Sequence, residues 1–244
     1  MKNFISLLIP LCLSLGAIAQ VHTFPFKSSS ARQINISLNN SDVEIIGTNE
    51  DSVTITASNF VEADKNLLGE SGTGLNVEVS ENLLDIKKMS EAAASYVIRV
   101  PKTCSLSFQE EFRAPKLIRI SNISGSVVAK SWVSRIILME IAGPVQASSM
   151  ASDVSVEYSS LSQIKPSTIE SAGRLVEVIL PHDSKVTANL IVTAGNVESE
   201  FDLGFQNREL LKQVGGTRKI EAKLNGGGPP LNISAHTIII KKTK

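Results

Sequence analysis

This chain is poor in the residues that most catalytic and nucleic-acid-binding proteins depend on. Its 244 residues hold 2 Cys, 3 His and 1 Trp, and aromatic side chains make up 5%. Lys+Arg and Asp+Glu are both 24, so there is no surplus of either sign. A balanced chain lacks the basic excess that neutralises phosphates, which argues against a nucleic-acid partner. Two cysteines cannot make the disulfide framework of a small secreted domain. The histidines, His22, His182 and His236, show no zinc-ligand spacing and no HExxH. Beyond the N-terminus no apolar run is long enough to cross a bilayer. With 42% hydrophobic and 20% charged residues, the chain still has the means to bury a core.

The first residues form a targeting pattern. Lys2 precedes an apolar stretch from Phe4 to Leu15, and Ala17-Ile18-Ala19 puts small residues at −3 and −1. The pattern predicts a secretory signal peptide over residues 1–19, cleaved before Gln20, with residues 20–244 as a single domain. Leu11 precedes Cys12 where a lipidation site needs a small residue, so the segment is not a lipoprotein signal. Cys12 leaves with it, and Cys104 is then a lone cysteine without a disulfide partner in its own chain. A lone cysteine most often behaves as a small buried apolar residue.

The rest reads as β-structure. Short runs rich in Val, Ile, Leu and Thr alternate with polar residues at period two, as in Asp42–Ile45, Ser52–Thr56, Leu75–Val79 and Tyr96–Val100. Glu81–Ser95 has helical propensity, but Leu83–Lys88 suits a strand followed by a loop better. Glu209–Val214 allows one helical turn, ended by Gly215-Gly216.

A repeat runs through the second half. Ile123-Ser124-Gly125-Ser126-Val127 matches Ile141-Ala142-Gly143-Pro144-Val145. Ser152-Asp153-Val154 follows with Ser in the Gly place, and Ala194-Gly195-Asn196-Val197 closes the series. Counting Leu175 as a looser member, the gaps are 18, 9, 21 and 22 residues. Spacing near twenty with one half-step predicts the coils of a β-solenoid. Gly125, Gly143 and Gly195 then serve corners, by positive φ or close approach. Val127, Val145, Val154 and Val197 point inward and stack from coil to coil. In Gly173–Pro181 the pattern fits Arg174 in the Gly place, with Val176, Val178 and Leu180 inward.

Several stretches, taken in order, resemble the bacterial putative-adhesin family of exported β-strand-repeat domains, to which the head domains of putative auto-transporter adhesins are related. They are DVEIIG (Asp42–Gly47), DSVTITAS (Asp51–Ser58), VIRVP (Val97–Pro101), the Gly-x-Val units, VILP (Val178–Pro181), TAGNVESEFDL (Thr193–Leu203) and LNGGGPPLNISAHTIIIKK (Leu224–Lys242). Ser152, Arg174 and Ala235-His236 depart from the pattern. The resemblance implies an all-β, single-stranded, right-handed, largely parallel β-helix with short irregular loops, placed on the cell envelope. It implies no particular ligand.

Catalytic signatures are sparse. Ser162-Gln163-Ile164-Lys165 fits S-x-x-K without its partner motifs, and Gly69–Gly74 lacks the Lys of a phosphate loop. Glu198, Glu200 and Asp202 alternate with Val197, Ser199, Phe201 and Leu203, so they share an outward face, which reads as a plain solvated face with a divalent-cation ladder as the alternative. Glu44, Glu110, Glu111, Glu157 and Glu177 are the other acids of interest. Trp132, after Lys130-Ser131 at a turn, reads as a cap over the solenoid edge, and is also the best single candidate for an exposed ligand contact. These features favour a non-enzymatic envelope or secreted protein that binds or scaffolds a glycan, a protein or another envelope component, without a cofactor. The alternative on the same fold is a glycan-active hydrolase or lyase, which requires acids converging on a groove.

Overall fold

The computed structural model describes residues 20–26, 32–58, 73–91, 93–110, 116–161, 165–204 and 216–243. The signal segment, Glu209–Val214, Ser162 and Glu111 lie outside them. The described residues form strands and connections, with no helix. In chain order the strands are β1 (Gln20–Pro25), β2 (Gln33–Leu38), β3 (Ser41–Thr48), β4 (Ser52–Ser58), β5 (Leu75–Val79), β6 (Leu83–Lys88), β7 (Ala94–Pro101), β8 (Ser105–Glu110), β9 (Leu117–Ser121) and β10 (Val127–Ser131). They continue as β11 (Arg135–Ile141), β12 (Val145–Ser149), β13 (Val154–Tyr158), β14 (Ser167–Ser171), β15 (Leu175–Leu180), β16 (Val186–Val192), β17 (Val197–Ser199), β18 (Arg218–Leu224), β19 (Pro230–Ala235) and β20 (Thr237–Lys242). Leu83–Lys88 is a strand, as its alternation predicts.

The strands build two ten-stranded sheets. The first runs β1-β4-β7-β3-β9-β11-β13-β15-β20-β17, the second β18-β16-β19-β14-β12-β10-β8-β2-β6-β5. From β8 to β15 the chain alternates between them, one strand in each per circuit. Val127 lies beside Val145 in the second sheet, and Ile136 beside Val154 in the first, both in parallel register. The circuit from Val127 to Val145 advances 18 residues, as does that from Ile136 to Val154, whereas the one from Val154 to Val176 advances 22. The nine-residue half-step between Val145 and Val154 is the passage from one sheet to the other.

This arrangement divides the Gly-x-Val units between opposite corners. Val127 and Val145 open strands of the second sheet, whereas Val154 and Val197 open strands of the first. Val154 lies beside Val176, not Leu175, which is half-buried on the outer side. Val176, Val178 and Leu180 are fully buried, and Glu177 faces outward. The core is a continuous double layer in which every second residue points in. Each stacked Val or Ile gains about 1.5–3 kcal/mol by leaving water.

Two features depart from a wholly parallel helix. The pairs β1–β4, β4–β7, β5–β6 and β16–β18 are antiparallel. They lie at the two ends, where a parallel neighbour is lacking and a returning strand covers the open edge. The coils also do not stack in chain order. The β2/β3 pair sits between β6/β7 and β8/β9, and β19/β20 sits between β14/β15 and β16/β17.

The corner from the first sheet to the second has a recurring backbone kink. Asn122 and Glu140, one circuit apart, have φ of 58° and 55°. At Glu140 the register with β13 slips between Leu138 and Ile141, the mark of a β-bulge. Asn tolerates the left-handed region, whereas a Glu there costs roughly 1 kcal/mol. Glu140→Asn is expected to stabilise the protein by about 0.5–1 kcal/mol. Thermal melting checks it, and an unchanged or lower Tm would count against strain at this corner.

Candidate functional site

Polar groups concentrate in two kinds of place, an internal ladder at one corner and the outer faces of the sheets. The ladder begins with Glu110, the last residue of β8 and only 4% exposed. Its two carboxylate oxygens accept hydrogen bonds from the Ser131 and Ser134 hydroxyls. Ser131 Oγ in turn accepts the Ser134 amide at 2.7 Å. One coil on, Ser149 Oγ accepts the Ser152 amide at 3.1 Å and donates to the Ser134 carbonyl at 3.2 Å. On the next, Ser171 Oγ accepts the Arg174 amide at 3.1 Å and donates to the Ser152 carbonyl at 2.8 Å. Each inward serine ends a strand of the second sheet and bonds the amide three residues later, so the corner turns without orphaned groups. The ladder was missed in the sequence, though the signal is there: Ser131, Ser149 and Ser171 recur with the coil spacing. Ser149→Ala removes one donor and one acceptor, and about 1–3 kcal/mol of stability should go with it. A chemical-denaturation midpoint unchanged from wild type would contradict the ladder's role.

Cys104 is fully buried. Burial pushes its thiol up to about 12, against smaller opposing effects of a backbone hydrogen bond and Arg32. The thiolate is the reactive form, so the folded thiol should resist an aromatic disulfide reagent at pH 8 and react on unfolding. The folded pKa is raised above the ordinary 9.0, so this group supports the fold fully below pH 9. That support falls away as pH rises from 9 toward 12. Prompt labelling of native protein at pH 8 would contradict this.

The residues singled out in the sequence fall in separate places. His22 lies in β1 at one end, His182 in the connection before β16, and His236 between β19 and β20. Glu198, Glu200 and Asp202 are exposed, while Phe201 and Leu203, on either side of Asp202, are buried. Each acid has a local partner. Glu198 accepts from the Asn196 side chain at 2.9 Å, Glu200 from the Lys242 amide at 2.7 Å, and Asp202 from the Gly204 amide at 2.9 Å. Among the described residues no group of three or more His, Cys, Asp or Glu is placed to hold a metal ion. Glu177 meets Lys241 at 2.6 Å, and Glu44 faces Arg119 at 3.9 Å.

The two outer faces differ in chemistry. The first sheet presents charges among half-buried apolar residues, including Asp42, Glu157 and the pairs Glu44–Arg119 and Glu177–Lys241. The second presents few on its middle strands, its charges lying on the edge strands β5, β6 and β18 as Glu78, Asp85, Lys87, Lys219, Glu221 and Lys223. Along β2, β8, β10, β12, β14, β19 and β16, only Lys130 and Glu170 are charged among the outward positions. Its central row is Asn35, Ser107, Val128, Gln146, Thr168, Asn232 and Asn189, in register across the sheet. Asn189 donates to the Asn232 side chain at 2.9 Å. Trp132 lies on the corner bordering this face and is 53% exposed, and Met150, in the equivalent place on the next coil, is 56% exposed.

No family model matches the chain, and no curated protein matches it. Two solved structures resemble it in shape. One is a putative cell adhesion protein from Clostridium sporogenes, 15% identical, with a TM-score of 0.44 over 92% of this chain and 100% of that one. The other is a putative adhesin from Bacteroides fragilis, 10% identical, with a TM-score of 0.35 over 91% of this chain and 97% of that one. Among the described residues no helix is long and apolar enough to cross a membrane.

Proposed function

We propose that residues 20–244 form an exported, non-enzymatic β-solenoid that acts as an adhesin-like binding or scaffold module outside the cell membrane. The observation that carries this reading is how the chain uses its chemically capable groups. Glu110 is buried and bonded to two serines. Glu177 and Glu44 face cations of neighbouring strands, and the acids after Val197 accept local donors. Cys104 is buried with its thiol held protonated. A hydrolase or lyase would need such groups converging on a groove. These instead hold coils and corners in place, and the regular outer surface is left for contact. The signal-like N-terminus supports export. Regular stacking of short coils supports the solenoid, with the right-handed crossover that parallel strands favour.

Protease added to intact producing cells tests the location, with lysed cells as control. Degradation on intact cells, together with adherence of the purified chain to cell surfaces, is the expected result. Protection until lysis would overturn the adhesin reading.

A further inference from the structure

We infer that the outer face of the second sheet is a docking surface for an extended, uncharged polysaccharide that lies across the strands, with Trp132 gripping it at the rim. The inference rests on the binding reading above and adds the ligand's chemical class and location. The first argument is charge matching. A neutral polymer covering a surface brings no counter-ion, so any charge beneath it loses its water without compensation. The seven residues from Asn35 to Asn189 carry no charge, with Asp85 and Glu221 beside them only at the two ends of the row, although 20% of the chain's residues are charged and the opposite face holds the Glu44–Arg119 and Glu177–Lys241 pairs.

The second argument is hydrogen-bonding capacity. Asn and Gln each offer donors and an acceptor, and Ser and Thr hydroxyls offer both. A ligand rich in hydroxyls needs the same mixture. A nucleic acid or other polyanion would need cations, and Lys130 stands alone among the outward positions of these strands. The third argument is repetition. In-register strands place successive side chains about 4.8 Å apart, so the row extends on the order of 29 Å. That suits a chain molecule better than a single sugar. The Asn189–Asn232 hydrogen bond fixes part of the row in advance, which lowers the cost of ordering it on binding. The fourth is Trp132. An exposed indole beside a polar face supplies an apolar plate with a polar edge, the combination that suits the C–H face and hydroxyl rim of a sugar ring.

Electrophoresis of the full mature chain through native gels containing mannan, dextran or mixed-linkage β-glucan tests this, with alginate as the anionic comparator. Retardation by at least one neutral polymer is expected. Gln146→Ala and Asn232→Ala should each weaken it about three- to tenfold, and Trp132→Ala by more than about tenfold. Glu177→Ala on the opposite face should leave it unchanged, and melting curves confirm that the variants fold. No retardation by any neutral polymer, retardation by alginate alone, or unchanged binding in all three variants would overturn the inference. If the purified chain adheres to intact cells but ignores these polymers, this inference fails and the binding reading stands. If intact cells shield the protein from protease, the binding reading itself fails.

Discussion

Gly143→Ala should be among the most damaging single-methyl changes in this protein. A Cβ at Gly143 would lie 1.9 Å from the Gly125 carbonyl oxygen, and one at Gly125 would lie 1.9 Å from the Cys104 carbonyl oxygen. These are backbone atoms, so no side chain can rotate away. Two coils would have to separate at the corner, stretching the parallel ladder on either side. The expected loss is on the order of 3 kcal/mol or more, which lowers Tm by roughly 6–12 °C in a chain of this size. Gly173→Ala is the matched control. A Cβ there meets nothing nearer than the Met150 carbonyl oxygen at 3.8 Å, and Gly173 is not among the positive-φ glycines. That variant should stay within about 0.5 kcal/mol of wild type. Equal effects of the two substitutions would refute close packing of the coils at Gly143.

Val145→Asp should prevent folding altogether. Val145 is 2% exposed and lies between Val127 and Ser167 in the second sheet. The change forfeits about 1.5–3 kcal/mol of apolar burial. It also leaves an unpaired charge in the core, which costs about 3–5 kcal/mol more. Together these approach the whole stability of an ordinary domain, about 5–15 kcal/mol. Because each coil buries its inner face only against its neighbours, the damage spreads along the stack. Gln146→Asp, one residue on and facing solvent, should fold. A soluble V145D protein that melts cooperatively would sink the inward assignment.

Much of the fold was legible in the sequence because period-two alternation is a direct consequence of one face meeting the core. Val176, Val178 and Leu180 were readable for that reason, as was the strand at Leu83–Lys88. The half-step between Val145 and Val154 held the two-sheet geometry in plain view, yet alternation cannot say which sheet a strand joins. That is why Val154 and Val197 seemed equivalent to Val127 and Val145. Gly125 and Gly143 were marked as corners needing positive φ or close approach, and of the two it is close approach to the preceding coil's carbonyl that applies. Only the neighbouring coil reveals that. Asn122 and Glu140, which do adopt positive φ, left no strong local signal. The polar rows of the second sheet escaped notice because Asn35, Gln146 and Asn232 are unremarkable singly. Register alone makes them a surface. Acids chosen by spacing, Glu198, Glu200 and Asp202, are outward as read, but each finds a local partner.

The displaced position of the end coils dictates how the molecule can assemble. β16/β17 reaches β14/β15 only through β19/β20, and β6/β7 reaches β8/β9 only through β2/β3. The chain therefore cannot wind up turn by turn as it emerges. Its final strands must slot between two layers separated by one coil's width, so completion waits for the last residues to arrive. Once seated, β19/β20 works like a bolt: peeling the terminal layer requires drawing it out first. Such a molecule should stay open while the chain is being made, then lock late and unravel slowly from its ends.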